Sequence, residues 1–198
     1  LEAAARAPGR VARLVLLGAA YPMKVSDALL ATAREAPLRA IDMVNALSIG
    51  TLAAKPSYPA PGMWLHGANR ALMRNQQALS GEINLFEHDF RICDAYAGGA
   101  QAMAKVQCPV TLITGARDQM TPPKAAQTLS RRAQHGQTVL LRAGHSLMTE
   151  APDGVLDALR RITALRGDVR HDQRRLVHLG RRVLVAADDA DNGAQAAL

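Results

Sequence analysis

Two hydrophobic rhythms divide this chain of 198 residues. Val11 to Gly18, Val110 to Thr114 and Thr138 to Leu141 are short, nearly continuous apolar runs bounded by Gly, Pro or polar residues. Runs of that length between turn residues predict buried strands. From residue 22 to about 95 the spacing becomes helical, clearest in Val25 to Arg34, Leu38 to Leu52 and Ala68 to Leu79. Breakers separate these segments: Pro37, the cluster Pro56 to Gly62, and Gly81. Beyond residue 100 the strand rhythm returns, with helices predicted from about Pro123 to Ala133 and from about Pro152 to Leu165. Leu1 to Arg10 reads as the end of a helix followed by a turn at Pro8-Gly9. Strands alternating with helices of this length predict an α/β fold, a parallel sheet with flanking helices. Residues 1–20 and 100–165 form its body, and residues 22–99 form a helical insertion with its connection.

Charge changes the picture only at the carboxyl end. The formal net charge is +7, yet residues 1–158 hold sixteen Lys/Arg against twelve Asp/Glu. From Leu159 to Arg182 there are eight arginines and two acids. That stretch has no Lys, no interleaved aromatic residue and no reading motif, so nucleic acid is not an expected partner. Residues 166–198 are expected to be an arginine-rich, poorly ordered tail. No window approaches the ~18 consecutive apolar residues of a membrane span. The amino end lacks the order of a signal peptide. Cys93 and Cys108 form no C-x-x-C, and no Cys/His cluster has zinc-ligand spacing, so no metal is expected. Reduced cysteines make a cytoplasmic setting the default. No Gly-rich phosphate loop is present, and no cofactor is expected.

The chemistry concentrates at two strand ends. Cys108-Pro109 opens a run that finishes in Gly115-Ala116-Arg117-Asp118, and the next strand leads into Ala143-Gly144-His145. Each strand presents one ionisable side chain at its carboxyl edge. A carboxylate can hold an imidazole in one tautomer and stabilise its cation, which a general base for an alcohol nucleophile needs. An acid at Asp118 could also simply cap the turn before Thr121-Pro122-Pro123. The other histidines, His66, His88, His135, His171 and His178, show no metal-binding spacing.

The stretch Pro109 to Pro123 (PVTLITGARDQMTPP), followed by Ala143 to Pro152 (AGHSLMTEAP), resembles the closing third of an α/β-hydrolase. In that fold the triad runs in the order nucleophile, acid, histidine. The resemblance covers residues 1 to about 165 and implies that Asp118 is the acid and His145 the base. It implies a partial α/β-hydrolase fold, with residues 22–99 as a helical lid. It also implies that the G-x-S-x-G nucleophile elbow and the oxyanion hole lie upstream of Leu1. The family's body needs nothing after its last helix, so Leu176 to Ala187 has no expected place in the sheet.

Gly144-His145-Ser146-Leu147-Met148 imitates an elbow centred on Ser146. Met148 is too large two places after the nucleophile, and Thr149 to Pro152 delays the helix that an elbow enters directly. The family instead implies that Ser146 lines the substrate pocket. Met63, Trp64, Leu65, Leu72 and Met73 form an apolar set in the insertion, and Trp64 is the candidate to roof that pocket. The implied activity is cleavage of a small-molecule ester through an acyl-serine. Relatives with an aspartate nucleophile, acting as dehalogenase or epoxide hydrolase, and a non-catalytic remnant or binding domain are the alternatives. By either reading this chain alone is expected to be inactive.

Overall fold

The computed structural model describes residues 1–50, 64–164 and 183–185. The Pro56 to Gly62 breaker, Met63 and most of the arginine-rich tail lie outside the described residues. Three parallel strands form the heart of the molecule: β1 (Leu14–Leu17), β2 (Val110–Gly115) and β3 (Gly136–Leu141), paired in that order. All of β2 is buried. A strand covered on both faces reads as a continuous apolar run rather than an alternation, which is why its sequence was legible.

Successive β2 side chains serve opposite faces. Val110 and Leu112 join Ala4, Met103, Val106, Ala126 and Leu129 in one core. That core draws on α1 (Glu2–Arg6), α6 (Gly99–Lys105) and α7 (Pro123–Arg132). Ile113 joins Val139, Leu141, Ala143, Leu147, Val155 and Ala158 in the other, beneath α8 (Leu147–Glu150) and α9 (Pro152–Ala164). Helices therefore cover both faces of the sheet.

The insertion between β1 and β2 contributes α2 (Asp27–Glu35), α3 (Pro37–Ser48), α4 (Leu65–Leu79) and α5 (Leu85–Ala95). Ser26 caps α2 by accepting from Leu29 N–H, and Asn84 caps α5 by accepting from Glu87 N–H. Helix α3 is the insertion's buried centre, with Ala40, Ile41, Val44, Asn45 and Ser48 on one face. It packs against α2, α4 and α5. Helices α5 and α6 were not read from the sequence. No residue of α5 is fully buried, and Asn84 caps its start.

One expectation is corrected at the carboxyl end. Val183–Val185 forms a short strand, β4, parallel to the outer edge of β3, with Val139 opposite Leu184. The exposed edge of β3 offers unpaired N–H and C=O groups, and a β-branched segment satisfies them. Part of the Leu176 to Ala187 patch thus has a place in the sheet after all.

Candidate active site

Because β1, β2 and β3 are parallel, their carboxyl ends share one edge, where sites in open α/β sheets gather. The turn after β2 supplies Asp118, the loop after β3 supplies His145, and β1 ends in Gly18. His145 Nδ1 lies 3.0 Å from Asp118 Oδ2. The Asp118 side chain is fully buried, while that of His145 is 32% exposed. An ionised carboxylate can only accept hydrogen bonds, so Nδ1 carries the ring proton. In the neutral ring Nε2 then holds a lone pair, the requirement for a general base.

Both oxygens of Asp118 are engaged. Oδ1 accepts from the backbone N–H of Met120 at 2.9 Å and of Thr121 at 2.8 Å. Oδ2 faces the His145 ring and the Thr121 hydroxyl, the latter at 2.7 Å. Burial pushes the Asp118 carboxyl up. Hydrogen bonds from His145 and from the Thr121 backbone and hydroxyl outweigh it, leaving the group below the ordinary carboxylate range. Asp118 therefore keeps its charge more readily than an ordinary carboxyl would. The turn-capping and histidine-orienting readings of Asp118 turn out to be compatible, since each uses a different oxygen.

Thr121 was not singled out from the sequence. Its hydroxyl lies 2.7 Å from the Gly18 carbonyl, 2.7 Å from Asp118 Oδ2 and 3.0 Å from His145 Nδ1. It ties the turn after β2 to the end of β1 and stands beside the ring. The only signal in sequence is a hydroxyl three places after the acid. Thr121→Val keeps the shape and removes the single hydroxyl proton that the Gly18 carbonyl and Asp118 Oδ2 share. It should destabilise the chain by about 1–3 kcal/mol, because a buried carboxylate loses a donor. Thr121→Ser should recover most of the loss. Denaturant unfolding of the two variants checks this, and equal stability of Val and Thr would show the hydroxyl to be idle.

Gly18 is the second residue the sequence reading passed over. Its φ is +57°, and a Cβ there would meet His145 Cε1 at 3.3 Å and Nδ1 at 3.4 Å. The imidazole thus rests against bare backbone; the positive φ favours glycine, and a Cβ would press on the ring.

Ser146 follows directly, with φ −79° and ψ 55°, at the start of the short helix α8. Its N–H donates to the Ser48 carbonyl at 3.0 Å. Among the described residues its hydroxyl makes no hydrogen bond to His145. Trp64 stands just before α4 and is 61% exposed, its ring beside His66 at 6.2 Å and over Gly67. The structure brings Asp118 and His145 together with Thr121 and Gly18. No described contact joins Trp64 to them. Burial pushes the thiols of Cys93 and Cys108 up, away from the reactive thiolate form. Among the described residues no group of three or more His, Cys, Asp or Glu is arranged to hold a metal ion. Among them, too, no helix is long and apolar enough to cross a membrane.

No protein-family model and no curated protein matches the sequence. Solved structures do. A thermophilic esterase superposes with a TM-score of 0.64 at 18% identity, over 81% of this chain and 59% of that one. The chain has a partial α/β-hydrolase fold. The enol-lactonase from Burkholderia xenovorans LB400 is similar to the same degree, with a TM-score of 0.64 at 18% identity over 82% of this chain and 60% of the lactonase. An esterase from Exiguobacterium antarcticum reaches 0.61 at 14% identity, over 78% of this chain and 57% of that one. The chain thus spans less than two thirds of the length of these structures.

Proposed function

We propose that this chain is the carboxyl-terminal part of an α/β-fold serine hydrolase that cleaves small carboxylic esters through an acyl-serine intermediate. The nucleophile elbow and oxyanion hole belong upstream of Leu1. The observation that carries the reading is the 3.0 Å pairing of His145 Nδ1 with Asp118 Oδ2, which leaves Nε2 as the proton acceptor. The similar structures include two esterases and an enol-lactonase, which favours an acyl–oxygen bond as the target.

In this mechanism Nε2 takes the serine proton as the oxygen attacks the acyl carbon. It then delivers that proton to the departing alcohol. Water repeats the exchange and releases the acid. Asp118 keeps the ring in the productive tautomer and stabilises the imidazolium. Ser146 lines the acyl pocket and Trp64 roofs it. The test is covalent trapping. A serine-directed phosphonate should modify the full-length protein at one serine upstream of Leu1, within G-x-S-x-G, and abolish turnover. An adduct that forms only on an aspartate-directed epoxide or alkyl halide would replace the esterase with the dehalogenase or epoxide-hydrolase reading. No adduct from either reagent would leave a binding domain.

A further inference from the structure

Among the described residues, Glu150 is the one buried carboxylate that this mechanism does not use. It is 1% exposed, and among the described residues it has no ion-pair partner. A charge in that position is tolerable only when hydrogen bonds replace its water. Its Oε1 accepts from Gly144 N–H at 2.9 Å and its Oε2 from Gly50 N–H at 2.8 Å. Gly144 immediately precedes His145, whereas Gly50 belongs to the insertion, just past the end of α3. The carboxylate therefore bridges two segments nearly a hundred residues apart in sequence.

Two further observations concern the same junction. The backbones of Gly50 and Gly144 touch: a Cβ on Gly144 would lie 2.3 Å from Gly50 N, and one on Gly50 would lie 2.8 Å from Gly144 N. Only paired glycines let both amides point at one carboxylate. Beside them the Ser48 carbonyl accepts from His145 N–H at 2.9 Å and from Ser146 N–H at 3.0 Å. Ser48 is itself buried, and its hydroxyl donates to the Val44 carbonyl at 2.8 Å within α3. The backbone of His145 is thus bonded to the insertion as well as to the strand that delivers it.

We propose that Glu150 is a positioning residue for His145, its carboxylate joining the histidine loop to Ser48–Gly50 so that the insertion sets where the imidazole stands. The proposal rests on the general-base role of His145. It goes beyond it by making residues 48–50 part of the base's support, in addition to any part they play in a lid. Charge-assisted bonds to two amides hold a loop more firmly than neutral ones. A displacement of about 1 Å at a catalytic base can cost on the order of a hundredfold in rate.

Glu150→Gln offers one acceptor oxygen where two amides need one each. In the full-length protein it should lower kcat by about ten- to a hundredfold while KM stays within about threefold. In the same variant the bonded Nδ1 proton of His145, observed by NMR without substrate, should broaden or shift. Glu150→Asp keeps the charge with a shorter reach, and supplies the same two readouts if the glutamine variant does not fold. Either variant, folded, with wild-type kcat and an unchanged His145 resonance, would overturn the proposal. A variant with lowered stability but both readouts intact would reduce Glu150 to a structural residue and overturn it equally. The resonance needs no turnover, so an inactive wild type would defeat the hydrolase reading alone.

Discussion

Full-length protein carrying His145→Ala is expected to lose about three or more orders of magnitude in kcat, with KM nearly unchanged. The imidazole moves a proton in the transition state and contributes little to ground-state binding, so the loss falls on the chemical step. Asp118→Asn should cost about three to four orders of magnitude for a reason visible in the hydrogen bonds. Oδ1 accepts from two backbone amides, Met120 and Thr121. An asparagine must keep its carbonyl oxygen there, which turns its NH2 toward His145. Nδ1 would then have to accept, and the ring proton would move to Nε2, where the lone pair is needed. Steady-state kinetics on both variants measure the effect. Near-normal rates for Asp118→Asn would mean that another acid orients His145.

The second large effect concerns this chain by itself. Under the proposed function it holds the base and its acid but neither the nucleophile nor the oxyanion donors. It should therefore show no turnover of a p-nitrophenyl ester above background. Loss of a triad nucleophile removes several orders of magnitude in rate, and missing oxyanion donors remove about two to three more. The described geometry already argues against Ser146 as a substitute. Its φ of −79° gives no strained elbow, and its amide is committed to the Ser48 carbonyl. Turnover by the isolated chain that disappears in Ser146→Ala would make Ser146 the nucleophile and reverse this assignment.

Much of the body was legible because its signals are local. β2 is buried on both faces, so its apolar run stands out without knowledge of its neighbours. The apolar runs Val11 to Gly18 and Thr138 to Leu141 also announced β1 and β3, although those strands are only partly buried, with boundaries off by a few residues. Helix α3 could be read from its periodicity. Charge density speaks only of a segment's own composition. Val183–Val185 finds its place through an unpaired edge supplied by β3, a property of another segment.

The amino-acid sequence by itself determined the alternation of strand and helix, the helical insertion, and the placing of an acid and then a histidine at the ends of consecutive strands. Those features depend on side-chain periodicity and on residues adjacent in the chain. Tertiary structure alone decided that Asp118 and His145 meet at 3.0 Å, that Thr121 and Gly18 brace the ring, and that Glu150 ties Gly144 to Gly50. The last contact turns on two backbones approaching where neither carries a Cβ. A glycine in sequence records that a close approach is possible, and only the fold supplies the partner.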